Sequence, residues 1–519
     1  MADVDVLVVG AGPTGLTMAG ELLYHGASVR LIDAAPDRAH TSRAFGVQAR
    51  TLELFHARGL AAPLIARGHR NLHMVRHIVG RKPASLVLED IGVRGTRFPF
   101  MLMVSQVDTE DILLAHFESL GGVVERCTEL TGYEQDALGV TATLRRPDGT
   151  QEPLRAAYLI GADGAHSTVR KLAGIAFEGG TYETSWVLAD LDVDGPLEPG
   201  ALHFFISPTG LIAFVALRRP APWRMMAVDL DTTVTDRAAP TLAELQQMVN
   251  RRIDQPLHLY GDVWRSRFRV HHRMAERFRA GRVFLTGDAG HIHSPAGGQG
   301  MNTGIQDAWN LAWKLALVMH GQAPAELLDS YEAERIPVAQ FLLRFTDRLF
   351  SLMVSSQPLA RAWRSLLVPT ATAMAARSRA ARRLIFRTVS QLEIAYPDSP
   401  IVAQHSRRLR PRAGQRLPDI ELPDGQGWLH DQLTPRHNLL ICQPPTDPTR
   451  LEQLQHRYHG LLDVRWLPPG TWGGGVVLVR PDGHIAFRGS VHGTELHDYL
   501  QRWLRPTTVG QPQPSSPPN

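Results

Sequence analysis

The sequence predicts an α/β protein in which a parallel α/β domain is interrupted by a β-rich insertion and followed by helices and a second, small α/β domain. Three observations predict this class. A buried strand, a glycine turn and a helical pattern open the chain, alternating aromatic-rich strands occupy 178–275, and strands alternate with helices again after residue 424. The composition agrees, since 44% hydrophobic and 20% charged residues are typical of globular proteins.

The length and the first residues bound the class further. At 519 residues the chain should hold two to four domains. Apolar runs fall short of the about 18 residues that a membrane span needs. The N-terminus has no basic region ahead of its short apolar run, so a secretory signal is not predicted. We therefore expect a cytoplasmic protein without a membrane partner.

Cysteine and charge usage exclude other functions. Cys127 and Cys442 are the only cysteines, too few for a disulfide framework, so redox chemistry would need a bound cofactor. Cys127, at the end of a predicted strand, is expected to be a small buried residue. Residues 361–412 hold eleven arginines against two acids. Because interleaved aromatic residues are few there, we interpret this stretch as a solvated helix face and expect no nucleic-acid partner.

The first domain is predicted at 1–177, with an excursion into the insertion near 72–104. It is expected to resume at 276–396 and to end in long helices. Its predicted elements are, in chain order, a strand at 4–9, a helix at 16–23, a strand at 28–33, a helix at 105–120, a strand at 123–126, a hairpin turn at 148–149, a strand at 158–161, a strand from 283 and a helix from Ile305.

The remaining segments form three units. The insertion at 178–275 has alternating strands, such as 202–206 and 211–217, and is predicted to be β-rich. Residues 397–423 are rich in Pro and Arg and are predicted to be a linker. Strands and helices alternate at 424–505, which predicts a small α/β domain, and the Pro-Gln-Ser tail at 506–519 is expected to be disordered.

The first chemical motif is a glycine turn between a strand and a helix. It consists of Gly10, Ala11, Gly12, Pro13, Thr14 and Gly15. Such glycines make a tight turn and let the backbone approach a pyrophosphate, which the helix N-terminus can hold. Asp33 ends the next strand, where a carboxylate can bond the ribose hydroxyls of an adenosine. The motif, its strand, its helix and its acid together predict an adenine-dinucleotide site.

Two later segments follow predicted strands in the same way. Asp163-Gly164 leads into a helix, with Ser167 or Thr168 as a candidate cap and Asp163 free to accept hydrogen bonds. Asp288 lies in a glycine-rich run, 287–302, and can bond the ribityl hydroxyl of a flavin. The run exposes backbone N–H groups that can hold the electron-rich edge of an isoalloxazine.

These three segments together resemble the group A flavin-dependent aromatic hydroxylases, the phenol and p-hydroxybenzoate hydroxylase superfamily of FAD monooxygenases. The resemblance covers about residues 4–400 and includes Ser42-Arg43-Ala44, Gln48 and Gln106. It implies a Rossmann-like FAD-binding domain, an inserted β-sheet substrate domain and a helical segment. The cofactors that it implies are FAD and, as electron donor, NADPH or NADH.

The resemblance also implies roles for particular residues. Asp33 and Arg43 would bind the adenosine and pyrophosphate end of FAD, and Gln106 and Asp288 would contact its ribityl and phosphate region. Asp163 would serve both FAD and NAD(P)H. The full set expected to bind the cofactor is Gly10, Gly12, Pro13, Thr14, Gly15, Asp33, Arg43, Gln106, Asp163, Asp288, Gly300, Met301 and Asn302.

The activity that the resemblance implies is monooxygenation. NAD(P)H reduces FAD, reduced flavin and O₂ form a C4a-hydroperoxide, and one oxygen atom passes to a phenolic or polycyclic, polyketide-like ring. Arg43, Pro295 and Gly298 are expected to form the flavin environment of this reaction, and the backbone of 300–302 would lie beside the isoalloxazine. No residue is assigned as an acid or a base.

The insertion is expected to wall an aromatic substrate. Phe204, Phe205 and Phe214 lie in its strands, and alternation leaves open which face carries the ligand. His293 or Pro295 would line the pocket in front of the flavin, and a loop-ordering role for His293 is equally open. The predicted partners are therefore a small aromatic substrate and O₂, and a homodimer is left open.

Three alternatives keep part of this picture. A Baeyer–Villiger or epoxidising monooxygenase would carry every motif above, and only its products would separate it. A flavin oxidoreductase without oxygen insertion would consume NAD(P)H regardless of any aromatic compound. A carrier or regulator on the same fold is disfavoured because both the 163–164 and the 287–288 segments are intact.

The C-terminal domain is similar to the thioredoxin-like domain appended to larger members of the family. Cys442 is followed by Gln443 and has no second cysteine within reach, which excludes a dithiol role and favours packing or an interface. His291 and His293 have the spacing of a metal pair. Since no further ligands complete a shell, no metal is predicted.

Overall fold

A computed structural model describes residues 2–38, 44–71, 73–78, 83–87, 93–207, 210–229, 238–294, 298–354, 377–406, 408–423, 425–444, 448–490 and 493–506. Arg43 and Pro295, predicted near the flavin, lie outside these residues. Residues 361–376 of the arginine-rich stretch, its Arg407 and the tail from residue 507 also lie outside the described residues.

Twenty-four strands are present in the described residues. They are β1 (Val4–Val9), β2 (Val29–Ile32), β3 (Gly46–Val47), β4 (His69–Asn71), β5 (His73–Ile78), β6 (Ala84–Val87), β7 (Met101–Met103), β8 (Val124–Glu125), β9 (Glu129–Gln135), β10 (Val140–Arg145), β11 (Gln151–Gly161), β12 (Phe177–Asp194), β13 (Leu202–Ser207), β14 (Gly210–Ala216), β15 (Trp223–Asp229), β16 (His258–Ala275), β17 (Arg279–Ala280), β18 (Val283–Leu285), β19 (His291–Ile292), β20 (Ala403–Gln404), β21 (His437–Ile441), β22 (Leu462–Trp466), β23 (Val476–Val479) and β24 (Ile485–Gly489).

Eleven α-helices join them over the same residues. They are α1 (Pro13–Tyr24), α2 (Ala49–His56), α3 (Ala61–Arg67), α4 (Gln106–Ser119), α5 (Thr168–Leu172), α6 (Leu242–Arg252), α7 (Gly300–Met319), α8 (Ser330–Val354), α9 (Arg379–Val389), α10 (Pro448–Arg457) and α11 (Glu495–Trp503).

The first domain is built on an eight-stranded sheet. Its strands β18, β11, β1, β2 and β8 are neighbours in that order and run parallel, while β17, β10 and β9 extend the sheet in antiparallel pairs. Apolar side chains of these strands, α1 and α7 form one core. This is the Rossmann-like α/β arrangement that the first residues predicted.

The insertion forms a second eight-stranded sheet in the order β19-β16-β12-β15-β14-β13-β5-β6. Strands β5 and β6 reach it from the 72–104 region. Helix α6 packs on one face of this sheet through Leu245 and Val249. The opposite face packs against Phe45 and Met103 of the first domain. The sheet thus has one face of its own core and one face turned to the domain that carries the glycine motifs.

The C-terminal domain contains a five-stranded mixed sheet in the order β20-β24-β23-β21-β22. The segment 397–423, predicted to be a linker, is part of this domain. Strand β20 pairs with β24, and Ala413, Leu417 and Leu422 are buried in its core. The prediction was wrong because Pro and Arg indicate irregular backbone, and irregular backbone can still pack when its apolar side chains find a core.

Two local details also differ from the predictions. Helix α7 begins at Gly300 rather than Ile305, although glycine is a poor helix former. Close packing accounts for one glycine in this part of the helix, because a Cβ at Gly304 would lie 2.3 Å from the hydroxyl oxygen of Thr14. Cys127 is exposed rather than buried, in a turn where its φ is 53°.

Candidate functional site

Four sequence motifs meet at one edge of the first sheet. The last residues of neighbouring strands are in register, Val9 with Ile32 and with Gly161, and Gly161 with Leu285. Gly10 and Asp33 follow two of these residues directly, and the 163–164 and 287–288 segments begin one residue further on. The glycine turn, Asp33, the 163–164 segment and the 287–288 segment therefore lie side by side at the carboxyl ends of parallel strands, where α/β folds bind their ligands.

The glycine turn has two kinds of glycine. Gly10 adopts φ +100°, and a Cβ there would lie 2.4 Å from the carbonyl oxygen of Ala162. A Cβ at Gly15 would lie 1.8 Å from the carbonyl oxygen of Gly10. Gly12, the residue before α1, has an ordinary φ of −77° and no described atom within 4 Å of its Cβ position. The space in front of Gly12 and of the first turn of α1 fits a pyrophosphate.

Asp33 is held against this turn. Its Oδ2 accepts a hydrogen bond from the N–H of Ala11 at 2.7 Å, and its Oδ1 accepts one from Ala35 at 2.8 Å. The Arg126 guanidinium lies 3.6 Å away. These bonds fix the carboxylate beside the glycine turn, where the acid of a dinucleotide site contacts ribose.

Asp163 also forms hydrogen bonds within the protein. Its carboxylate accepts hydrogen bonds from the hydroxyl of Ser167 at 2.5 Å and from the N–H groups of Thr168 and Val169 at 2.7 and 3.1 Å. It is thus engaged by the N-terminus of α5 rather than free, and Ser167 is the cap of that helix. A ligand role for Asp163 stays a prediction.

The 287–288 segment contacts the glycine turn and α5, the helix that follows the 163–164 segment. Gly287 has φ +57°, and a Cβ there would lie 2.7 Å from the Thr14 hydroxyl oxygen. Arg170, in α5, donates to the carbonyl oxygen of Ala289 at 2.9 Å. Asp288 is exposed between its buried neighbours. The backbone of the segment is therefore held tightly, while Asp288, the residue predicted to bond the ribityl chain, is exposed to solvent.

The first turn of α7 is joined to residues 44–48. Asn302 donates from Nδ2 to the carbonyl oxygens of Gly46 at 2.9 Å and Gly298 at 3.0 Å, and its Oδ1 accepts from the N–H of Gln48 at 2.8 Å. Gly298, with φ +61°, has no described atom within 4 Å of its Cβ position. The predicted isoalloxazine site thus has open space beside the backbone of Gly298. Gly300 and Met301 also flank this site.

Gln106 opens α4 and lies beside residues 44–48, the segment that we call the strap. Its side chain accepts from the N–H of Ala44 at 3.4 Å and donates to Glu110 at 2.7 Å. The predicted cofactor residues that the structure describes therefore converge, although they come from distant stretches of sequence.

The predicted substrate residues do not converge. Phe204 faces the first domain and is partly buried, in the cluster that contains Phe45 and Met103. Phe205 and Phe214 point to the opposite face, where they are buried in the core under α6. Phe214 has no exposed surface, so it cannot offer one to a ligand. We therefore assign structural roles to Phe205 and Phe214 instead of the predicted substrate contacts. Phe204 and Phe205 differ because successive side chains of a strand face opposite ways.

His293 follows β19, close to the start of α7. Its Nδ1 bonds the carbonyl oxygen of Ser294 at 2.8 Å, and its Nε2 lies 3.3 Å from the Cβ position of Gly300. Burial lowers the pKa of His293 to about 4, so the ring is neutral at pH 7. This geometry orders the loop before α7, and a substrate contact stays a prediction.

Two buried ion pairs near the site were not predicted. Arg224, in β15, binds Asp190 with two bonds of 2.7 Å and donates to the carbonyl oxygen of Ala44 at 3.1 Å. Arg335, in α8, donates to Asp307 of α7 at 2.6 Å. The available signal was a charged residue inside an apolar strand or helix, since such a residue is buried only when paired.

Cys442 is buried at the end of β21, and burial raises the pKa of its thiol to about 11. A thiol with so high a pKa is a poor nucleophile, which agrees with the absence of a dithiol motif. Across the described ranges, no group of three or more His, Cys, Asp and Glu side chains is placed to hold a metal ion. No helix in the described part of the chain is both long enough and apolar enough to cross a membrane.

The fold and the aligned strand ends define a dinucleotide-binding α/β protein, and comparison with known proteins shows its family. A family model for the FAD binding domain matches residues 3–346, and one for the aromatic-ring hydroxylase C-terminal region matches 410–507. The 6-methylpretetramide 4-monooxygenase of Streptomyces rimosus is 37% identical, over 94% of this chain and 91% of its own. The chain belongs to the FAD-dependent aromatic-ring hydroxylases, and it is a flavin-dependent monooxygenase that binds FAD.

Two solved structures agree in fold. The OxyS anhydrotetracycline hydroxylase from Streptomyces rimosus superimposes with a TM-score of 0.78 at 32% identity, over 97% of this chain and 100% of that one. A ternary complex of aklavinone-11 hydroxylase with FAD and aklavinone has a TM-score of 0.78 at 27% identity, over 97% and 99% of the two chains.

Proposed function

We propose that this enzyme inserts one oxygen atom of O₂ into a polycyclic, polyketide-like aromatic substrate, with NADPH or NADH as the electron donor. The relatives named above support the substrate class, since their names specify fused-ring compounds. The observation that carries the proposal is the apolar face of the insertion sheet, which lies against the segment joined to the first turn of α7.

This apolar face can hold an aromatic ligand. Its partly buried members include Phe204, Trp264 and Phe268, and partial exposure leaves surface for a flat ring. Its buried members next to the first domain are Phe45 and Met103. An apolar wall also excludes water, which protects a reactive oxygen-transfer step from loss as H₂O₂.

When bound, FAD would supply electron transfer from NAD(P)H to O₂ and oxygen delivery, by the route that the family resemblance implies. The residues of this chain hold and orient it. The first turn of α1 after Gly12 offers backbone N–H groups to the pyrophosphate, and Asp33 and Asp288 offer carboxylates to hydroxyl groups. Arg224, neutralised by Asp190, orients the strap at Ala44.

The test is substrate-stimulated reduction. The FAD-loaded protein is mixed anaerobically with NADH or NADPH, with and without members of a panel of phenols and fused-ring polyketides, and the flavin absorbance is followed. We expect a fused-ring compound to accelerate flavin reduction, because a bound substrate completes the pocket. In air, the same compound should gain one oxygen atom, as measured by mass spectrometry.

Each outcome separates the alternatives. An added hydroxyl group supports hydroxylation, whereas a ring-expanded ester or an epoxide would assign the Baeyer–Villiger or epoxidising reaction. NAD(P)H oxidation that forms H₂O₂ at one rate with every compound would overturn the proposal in favour of a flavin oxidoreductase. The comparison of NADH with NADPH identifies the electron donor in the same experiment.

A further inference from the structure

Buried charges connect the C-terminal domain to the first domain. Arg480, which follows β23, donates to both carboxylate oxygens of Glu334 in α8, at 2.5 and 3.0 Å. It also donates from Nε to Asp482 at 3.0 Å. Lys314, in α7, donates to the same Glu334 at 2.8 Å. The Arg480, Glu334 and Lys314 side chains have no solvent exposure, so each charge depends on the others.

The pKa values of this cluster support paired charges. Burial alone would raise the pKa of Glu334, but Arg480 and Lys314 outweigh it and bring the pKa to about 2. Burial lowers the pKa of Lys314 to about 8 against the attraction of Glu334. Glu334 is therefore ionised over the physiological range, and removing a cation would leave it unpaired in the interior.

A second chain of contacts leads from Arg480 towards the flavin. The Arg480 guanidinium lies 5.4 Å from the centre of the Tyr396 ring. The Tyr396 hydroxyl accepts a hydrogen bond from Nη1 of Arg335 at 2.8 Å, and Nε of Arg335 donates to Asp307 at 2.6 Å. Tyr396 is itself tied to the C-terminal domain, since its N–H donates to Gly414 at 2.8 Å.

Asp307 is the last residue in this series of contacts and bonds the 287–288 loop. Its Oδ2 accepts a hydrogen bond from the N–H of Gly287 at 3.0 Å and bonds Nε2 of His291 at 2.8 Å. Gly287 precedes Asp288, the predicted ribityl ligand. The contacts therefore run without a gap from the C-terminal domain to the backbone of the loop that carries Asp288.

Helix α7 makes the same connection mechanically. It has 20 residues, which corresponds to a length of about 30 Å. Its first turn, with Asn302, is joined to the strap at the flavin site, and Trp313 near its other end is buried in the core of the C-terminal domain. Buried polar contacts of this kind favour one arrangement of two packed surfaces over others, because a shifted arrangement leaves charges unpaired.

We propose that the C-terminal domain positions the FAD site, and that Arg480 and Tyr396 are positioning residues that act on the 287–288 loop through Arg335 and Asp307. This domain thereby has a role although it lacks dithiol chemistry. The inference rests on the FAD site that family membership establishes and not on the proposed substrate, so the two can fail separately.

The test compares two tyrosines in the full-length protein. Tyr396→Phe removes the hydroxyl that accepts from Arg335. Tyr499→Phe is the matched control, because it removes another buried hydroxyl, one that donates to the carbonyl oxygen of Ile401 at 2.7 Å inside the C-terminal domain. FAD affinity is measured by titrating the apoprotein, the flavin spectrum is recorded on the holoenzyme, and stability is measured by urea unfolding of the apoprotein.

We expect Tyr396→Phe to weaken FAD binding by about fivefold or more, where fivefold is the lower end of coupling between distant sites. The flavin spectrum of the variant should change as well. Tyr499→Phe should lose similar stability and keep wild-type FAD affinity. Equal stability losses with unchanged FAD affinity in both variants would overturn the proposal and leave the C-terminal domain a structural role only.

A double-mutant cycle tests the route. In an Asp307→Asn background, Tyr396→Phe should weaken FAD binding by less than it does in the wild type, because the contact through Arg335 and Asp307 is already impaired. Strictly multiplicative losses in the double variant would show that Tyr396 does not act through Asp307, and would overturn the assigned route.

Discussion

The hydroxyl oxygen of Thr14 lies only 2.3 Å from the position of a Cβ at Gly304. Thr14 belongs to the first turn of α1, and Gly304 belongs to the second turn of α7. The two helices that frame the proposed FAD site thus touch at a point where one of them has no side chain. This contact sets how closely the glycine turn, the 287–288 loop and the start of α7 can approach one another.

Substitution at this contact should therefore lower stability and FAD affinity, and a second substitution should restore part of both. Gly304→Ala would gain helix propensity, but the added methyl group overlaps Thr14, and we expect a net loss of about 1–3 kcal/mol in unfolding free energy together with weaker FAD binding. Thr14→Ala in the same chain should recover part of both losses, because it removes the overlapping atoms. Chemical unfolding and FAD titration measure the effects, and failure of the second change to restore anything would contradict the contact.

Gly12 and Gly15 should respond in opposite ways. Gly12→Ala places a methyl group in the open space before α1, so the apoprotein should keep its stability within about 0.5 kcal/mol while FAD binding is lost. Gly15→Ala directs its methyl group at the carbonyl oxygen of Gly10, and we expect the apoprotein to be strongly destabilised. Thermal unfolding of both apoproteins checks this, and equal stability losses would argue against a ligand at Gly12.

Phe204 and Phe205 are neighbours in sequence that face opposite sides of one sheet. Phe204→Leu should change the concentration of aromatic compound needed to stimulate flavin reduction and leave stability nearly unchanged. Phe205 stacks on His77 with ring centres 4.2 Å apart, so Phe205→Leu should lower stability by about 1–2 kcal/mol and leave that concentration unchanged. The reverse pattern would place the substrate on the α6 side of the sheet.

Stability should fall as the pH falls below neutrality. Burial lowers the pKa values of His77, His293, His437 and His484 to about 4, from 6.5 in an exposed chain. The folded protein therefore keeps these rings neutral while the unfolded chain binds protons, so stability is complete above pH 6.5 and is lost as the pH falls towards 4.

Urea midpoints measured at several pH values between about 7 and 5 test this expectation. His437→Gln removes one of the four groups and should make the decline shallower. A decline of the same steepness in that variant would mean that His437 does not titrate between its folded and unfolded pKa values.

Much of the proposed FAD site could be derived from the sequence because each motif is local. A strand, a glycine turn and a helix specify one another over a few residues, and the carboxyl end of a parallel strand is a ligand edge wherever it occurs. The glycine turn, Asp33 and Asp288 were found from such patterns. Their side-by-side placement follows from the strand order β18-β11-β1-β2, which pairs residues far apart in sequence.

Other features depended on packing that no local pattern contains. Alternation shows that Phe204 and Phe205 face opposite ways, but only the sheet's neighbours decide which face meets the first domain. The segment 397–423 has the composition of a linker and is ordered by the core that receives Leu417. The Arg335–Asp307 pair joins two helices, and neither residue shows its partner in the sequence.

The sequence by itself determined the class of cofactor and the lack of a cysteine pair, and it predicted which glycine and acid residues approach the cofactor, because these depend on residue type and short spacing. Only the tertiary structure decided that Phe214 is core, that Asp163 accepts hydrogen bonds from the first turn of α5, and that Arg480 of the C-terminal domain is linked through Tyr396 to the loop at Gly287. Such contacts join distant parts of the chain, and their energies depend on burial and partners that exist only after folding.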